Sequence, residues 1–334
     1  MADGIPVQLL RGGTSKGAYF LAGDLPADTA ERDRLLLSVM GSPDPRQIDG
    51  IGGGHPLTSK VAVVERSADP GADVDYLFLQ VRVDEPGVSA GQPCGNILAG
   101  VGPFAIERGL TPAAGETTAV RVRMVNTGAY ATVHVPTPGG RPEYSGDTVL
   151  SGVPGTASRI LVEFPDVTAR LPTGRVVDDL DGVPATLIDA GLPVMIIAAE
   201  ALGVTGYESP TRLEYDERLR SRVGLLQLAA ADLTGAGGVV ACLVAPPVAG
   251  GSLCTRMFVA HGVHSQIGVL AAVTVASAVA LPGSVAARPA AGAVRSGVVR
   301  LEHPTGFLDV VTDGDRSLVV STARLLLDGR VFPR

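Results

Sequence analysis

Gln92-Pro93-Cys94-Gly95-Asn96-Ile97-Leu98-Ala99-Gly100-Val101-Gly102-Pro103-Phe104-Ala105-Ile106 decides how this chain is read. Pro93 stops whatever precedes it. Gly95 and Asn96 fall where a first helical turn has free backbone N–H groups. From Ile97 to Ile106 the residues are too uniformly small and apolar for a surface helix, so the run reads as a helix buried on nearly all sides. Cys94 then lies against the positive end of that helix, a setting that favours a thiolate. A buried helix with a thiol at its N-terminus suggests an anion site carrying a proton-transfer group. The plain alternative is a small core cysteine.

Composition narrows the rest. A chain of 334 residues has room for two ordinary domains. Apolar residues make up 46% but aromatics only 4%, so the core must be built from Val, Ala, Leu and Ile. The net charge is −7 with no Lys/Arg cluster, which argues against nucleic acid as a partner. An anionic substrate must therefore be held by local groups, not by a global field. Cys94, Cys242 and Cys254 form no CxxC pair and no metal-ligand spacing, so no metal is expected, and an odd count without a disulfide pattern fits a reducing cytoplasm. The Met1–Pro6 stretch has neither a basic nor an apolar segment of a signal peptide. The apolar run Ile267 to Leu281 is short for a membrane span and suits a second buried helix.

Working outward, Val7–Leu10 reads as a strand ending in a glycine-rich loop, Arg11 to Gly17, able to present N–H groups to a carboxylate or phosphate. It lacks the spacing of a phosphate-binding Walker loop. Asp28 to Met40 is helical, with Asp28 or Thr29 as N-cap. A second glycine-rich loop, Gln47 to Gly54, leads through Leu57-Thr58-Ser59-Lys60 into the strand Val61–Val64. Lys60, at the mouth of an apolar strand, is either snorkelling or held desolvated in a site. Tyr76–Val83 is a strand, and Val120–Val125 with Ala129–Val135 a hairpin around Asn126-Thr127-Gly128. The second half repeats this order. Ala185–Ile196 gives strand, loop, strand; Glu208 to about Leu228 a helix; Val239–Val244 and Cys254–Val259 strands. His261-Gly262-Val263-His264-Ser265 opens the apolar helix, and Glu302-His303-Pro304-Thr305-Gly306 joins the last two strands. His55 and His134 read as surface residues. The expected domains are residues 1–175 and 176–320, with 321–334 a candidate to return to the first. If the repeat holds, two buried helices related by a pseudo-twofold aim their N-termini at one cleft, a receptor for a di- or tricarboxylate.

Several strings carry a family resemblance. They are Leu10–Gly17, Met40–Asp44, Gln47–Gly50, Leu57–Val61, Cys94–Ile97 through Glu107–Leu110, Asn126–Gly128, His264–Val269 and His303–Gly306. Together the chain resembles the PrpF-type isomerases, which include methylaconitate and methylitaconate isomerases and 4-oxalomesaconate tautomerases. Asp73–Phe78, Gly152–Thr156 and Gly206–Pro210 look most like the tautomerase subgroup. The resemblance implies an α+β, diaminopimelate epimerase-like fold, each domain a sheet wrapped around a central buried helix. It implies a 1,3-proton shift on an unsaturated polycarboxylate, without metal or organic cofactor, in a candidate homodimer, while cysteine usage, charge and the short apolar run set the expectation of a cytoplasmic protein that binds neither nucleic acid nor membrane.

On that resemblance the catalytic lysine and cysteine fall on Lys60 and Cys94; which abstracts and which donates is left open. Substrate contacts in the first half fall on Thr14, Ser15, Ser59, Gly95, Asn96 and Asn126. In the second half they fall on Arg256, His264, Ser265 and Thr305. His264 either binds a carboxylate or caps its helix. Because the second-half position holds the His264-Ser265 turn, a two-thiol racemase is not expected. Three departures bear on the substrate: Asp232 to Gly238 lacks an expected Pro-Lys, Ser321 stands where Arg is expected, and His55 stands in the glycine loop. The expected substrate is 4-oxalomesaconate-like. Aconitate, methylaconitate or methylitaconate is the alternative, and a non-catalytic carboxylate-binding protein the alternative of another class.

Overall fold

The computed structural model describes residues 4–91, 94–164, 169–259, 262–290, 297–313 and 316–333. Pro93 and His261, both singled out from sequence, lie outside the described residues. Two compact units emerge, Met1–Asp166 with Val320–Arg334, and Val167–Val319.

The first unit contains β1 (Ile5–Gly12), β2 (Ser15–Leu21), α1 (Thr29–Met40), β3 (Lys60–Arg66), β4 (Val74–Val81), β5 (Val88–Ser89), α2 (Gly95–Glu107), β6 (Thr117–Met124) and β7 (Tyr130–Pro136). The short pair β8 (Thr148–Val149) and β9 (Thr156–Ala157) precedes β10 (Arg159–Glu163). The second unit contains β11 (Asp178–Leu180), β12 (Val183–Asp189), β13 (Pro193–Ala198), α3 (Pro210–Glu214), α4 (Glu217–Thr234), β14 (Val240–Ala245), β15 (Leu253–Val259), β16 (Gly262–His264), α5 (Val269–Ala280), β17 (Val298–His303) and β18 (Gly306–Asp313). The last strand, β19 (Arg316–Val331), has residues in both units.

In the first unit the strands close on themselves. β1 pairs with β2, β2 runs parallel to β3, β3 pairs with β4, and β4 runs parallel to β6. β6 pairs with β7, β7 with β10, β10 with β19, and β19 with β1. Closure leaves no free edge in this ring of eight strands. α2 is the filling. Every residue from Ile97 to Ala105 is buried, and the helix contacts β1, β2, β3, β4, β6, β7 and β10. Burying Ile97, Leu98, Val101 and Phe104 stabilises the unit by about 1.5–3 kcal/mol each, and that packing carries the helix through Pro103. Gly100 and Gly102 let the barrel wall approach: a Cβ on Gly102 would lie 2.7 Å from a Val135 methyl.

The second unit follows the same order. A β12–β13 hairpin leads by a helical crossover (α3, α4) to parallel β14. β14 pairs with β15, and a second crossover carries α5 to β17, parallel to β15. From Ala271 to Val279 all of α5 but Ser277 is buried.

Four local expectations are corrected. The Arg11–Gly17 stretch is not an open loop but the tip of the β1–β2 hairpin, with a two-residue turn at Gly13-Thr14 and Gly13 at φ +52°. The helix expected from Glu208 to Leu228 is two helices, because the Asp216 side chain accepts from Leu219 N and starts α4 anew. His264 does not cap α5. It ends β16, and Gly268 is the N-cap. His134, expected at the surface, is half-buried on β7, with Nε2 2.7 Å from Glu163 Oε2.

Candidate active site

In the first unit the β1–β2 turn rests on the first turn of α2. A Cβ on Gly12 would lie 2.5 Å from Asn96 O, and one on Gly13 2.3 Å from Asn96 Oδ1. Thr14 N donates to Asn96 Oδ1 at 3.4 Å. Ser15 follows, 2% exposed, with its hydroxyl in the interior and unpartnered among the described residues. Gly17 is the register partner of Lys60, and a Cβ there would meet Lys60 O at 2.9 Å and Ile97 Cδ1 at 3.0 Å. The hairpin tip, the first residue of β3 and the start of α2 therefore meet at one end of the barrel.

Lys60 is buried. Its Nζ donates to Gln80 Oε1 at 2.7 Å and lies 4.9 Å from the centroid of the Phe78 ring. Ser59 is fully buried, and its Oγ accepts from Gln47 Nε2 at 2.7 Å. Gln47 Nε2 also reaches Ser42 Oγ, and its Oε1 accepts from Gly54 N, so one amide folds the 41–54 loop beside Ser59. Cys94 occupies the N-cap of α2 as a half-buried free thiol whose side chain makes no capping bond. Its carbonyl accepts from Leu98 N at 3.0 Å and from the Tyr76 hydroxyl at 3.3 Å. Gly95 is the first helical residue. Burial, then the neighbouring Cys94 thiol, pushes the phenols of Tyr76 and Tyr19 well above the usual tyrosine range, so both stay neutral donors. Tyr19 donates to Ile97 O at 2.6 Å.

Asn126, expected from the resemblance to contact substrate, has its amide bonded to backbone groups. Its Oδ1 accepts from Phe78 N at 2.9 Å, and its Nδ2 donates to Phe78 O at 3.0 Å and Ala90 O at 2.8 Å. The whole amide is used in bracing Phe78 of β4 and Ala90 just after β5.

In the second unit Arg256 sits in β15, 7% exposed. Its Nε donates to Glu208 O at 2.7 Å, and its Nη1 to Thr255 O at 2.8 Å and Cys254 Sγ at 3.3 Å. Two carbonyls and a thiol hold this guanidinium; among the described residues no carboxylate pairs with it. His264 Nδ1 accepts from Gln266 N at 2.9 Å. Thr305 Oγ1 donates to Ser265 O at 3.1 Å and lies 3.2 Å from His303 Nδ1. Burial, followed in order by an opposing backbone bond to Phe307 and the nearby His264 and Arg256, brings the His303 imidazole down to about 4. His303 is thus a neutral ring beside Arg256 and His264.

Thr14, Ser15, Ser59, Lys60, Cys94, Gly95 and Asn96 are gathered in the first unit, and Arg256, His264, Ser265 and Thr305 in the second. Of the departing positions, Asp232 to Gly238 forms the end of α4 and its exit toward β14, and His55 is exposed, accepting from Leu57 N. Sequence reasoning missed Gln80 and Phe78. Their signal was weak: a lone amide in an apolar strand, and an aromatic two residues before it. Among the described residues no three His, Cys, Asp or Glu side chains are grouped to hold a metal ion, and no helix is long and apolar enough to cross a membrane.

Known proteins resemble this chain along its whole length. The chain is 50% identical to (4E)-oxalomesaconate Delta-isomerase of a Novosphingobium species, over 99% of this chain and 98% of that one. It is also 50% identical to 4-oxalomesaconate tautomerase of Pseudomonas putida, over 98% and 95%. A crystal structure of methylitaconate-delta-isomerase superposes with a TM-score of 0.87 at 30% identity, covering 97% of this chain and 94% of the other. The protein is an isomerase with the α+β, diaminopimelate epimerase-like fold. The family model described as PrpF protein matches residues 3–333. The chain belongs to the PrpF family.

Proposed function

We propose that this isomerase moves a proton and a double bond within an unsaturated polycarboxylate of the 4-oxalomesaconate type, with Lys60 and Cys94 carrying the proton. The observation that carries the reading is the Lys60 amine: it is buried at the barrel end where α2 begins and held by a neutral acceptor. An amine so held can give up or take a proton without first breaking an ion pair. The identity with two relatives named for 4-oxalomesaconate supports the substrate class.

In this reading a C–H bond beside a carboxylate or oxo group breaks, and its electron pair forms the new double bond. The pair of the old double bond takes a proton two carbons away, so no electrons leave the substrate. Lys60 or Cys94 removes the first proton and the other group supplies the second. Negative charge on the substrate oxygens is met by the Gly95 and Asn96 N–H groups, the Ser15 hydroxyl and the Thr14 side of the turn. Arg256, paired with no carboxylate among the described residues, is assigned to a substrate carboxylate, as are His264, Ser265 and Thr305. The three free thiols support a cytoplasmic setting, and a homodimer is checked by sedimentation.

Proton-exchange NMR in heavy water tests the reading. Wild type and Lys60→Ala are each offered 4-oxalomesaconate, trans-aconitate and methylitaconate. Deuterium should enter 4-oxalomesaconate with wild type only. Exchange that persists in Lys60→Ala, or none with any of the three, sinks it.

A further inference from the structure

Lys60 and Gln80 are register partners across β3 and β4, so their side chains rise on the same face of the sheet. The Gln80 carboxamide has only one orientation open to it. Its Nε2 donates to Ser59 O at 2.8 Å, Pro56 O at 3.1 Å and Val81 O at 3.3 Å. Three carbonyls on one side fix the nitrogen there, and the oxygen must then face Lys60 Nζ, 2.7 Å away. The other neighbour of the amine is the Phe78 face. That ring is held by its own backbone, because Asn126 bonds both Phe78 N and Phe78 O. Two fixed, uncharged groups thus flank the amine, and among the described residues no carboxylate pairs with it.

We propose that Gln80 is the positioning residue of the Lys60 amine, with Phe78, clamped by Asn126, as the floor beneath it. The inference rests on Lys60 acting in proton transfer, as assigned above. The choice of amide over carboxylate is the substance of it. A carboxamide oxygen accepts an N–H from an ammonium or from a neutral amine, and it favours the ammonium far less than a carboxylate does. The lysine can therefore lose and regain a proton while its nitrogen stays where it is. A carboxylate at the same place would bind the ammonium far more tightly than the amine and oppose the cycle. An apolar side chain would leave a flexible four-carbon stem free to wander, and a misplacement of about 1 Å can cost on the order of 100-fold in rate. The other titratable groups on the elements packed around Lys60 are Lys16 and Tyr19 on β2, Asp24 in the turn after it, His55 in the turn before β3, Glu65 and Arg66 farther along β3, Asp75 and Tyr76 on β4, and Cys94 and Glu107 at the two ends of α2.

The test has two readouts on wild type, Gln80→Glu, Gln80→Met and Lys60→Ala, each first checked for native circular dichroism. The first readout is the pH dependence of Lys60 acetylation by acetic anhydride, followed by mass spectrometry of its peptide. It reports on the contact whether or not the lysine is catalytic. The second is kcat, KM and the pH profile with 4-oxalomesaconate. Gln80→Glu should move the Lys60 labelling midpoint up by about 1–3 pH units and move one limb of the kcat profile with it. Gln80→Met should lower kcat by about 10- to 100-fold with KM changed much less. An unmoved labelling midpoint in Gln80→Glu overturns the contact. A moved midpoint with unchanged kcat and profile overturns the positioning role. Full activity in Lys60→Ala overturns the parent reading instead, while the labelling still judges whether Gln80 holds the amine.

Discussion

The hydroxyl of Tyr19 lies 2.3 Å from the point where a Cβ on Gly100 would sit. Tyr19 belongs to the barrel wall and Gly100 to the helix inside it, and the phenol cannot retreat because it is fully buried and donates to Ile97 O. Helix propensity alone would favour alanine at this position by about 1 kcal/mol. The close approach reverses that sign. Gly100→Ala should lower stability by roughly 1–3 kcal/mol, the usual cost of overfilling a packed core, measured by urea denaturation. A variant as stable as wild type would show that the barrel yields at this contact.

Ser15 joins stability and function with opposite signs. Its hydroxyl is buried and has no partner among the described residues, so the unliganded protein bears the cost of an unmet polar group, about 1–3 kcal/mol. Ser15→Ala should leave the free protein as stable as wild type or more so by thermal melting. The same change should raise KM for the polycarboxylate, since the hydroxyl assigned to it is gone. Loss of stability without a change in KM would mark Ser15 as a structural residue.

Asn126 should behave in the reverse manner. Its amide serves Phe78 and Ala90, and truncation leaves backbone groups of a buried residue without partners. Asn126→Ala should cost about 1–3 kcal/mol in chemical denaturation. KM should change little, and kcat should fall through the Phe78 ring beneath Lys60. A large rise in KM at unchanged stability would restore the substrate contact expected from sequence.

The acid side of the stability profile should carry the signature of His303. Its folded value lies at about 4 against an ordinary 6.5, chiefly through burial. Between those two pH values the unfolded chain binds the proton and the folded one does not. The contribution is therefore present above 6.5 and is lost as pH falls from 6.5 through about 4. The melting temperature of wild type should drop over that window, and His303→Gln should show a shallower slope. Equal slopes would mean that the ring takes up its proton in the folded protein as readily as in the unfolded one.

The buried helix and the lysine at the mouth of a strand were legible in the chain itself. An unbroken small and apolar run from Ile97 to Ala105 has no polar face to offer water, so it must be enclosed, and the strands around it announce themselves by composition. The repeated order of strands and apolar helices was equally visible, because burial writes the same pattern in each half. What the sequence could not determine was who meets whom. Whether Asn126 faces a ligand or clamps Phe78, whether His264 caps a helix or ends a strand, and whether the Lys60 amine finds a carboxylate or the Gln80 amide depend on pairs far apart in the chain. Such pairs are set by strand register, and a shift of one residue would turn each side chain to the other face. Local chemistry fixes which groups are available and which must be buried; only tertiary closure brings Gln80 to Lys60 and Asn96 to the Gly13 turn.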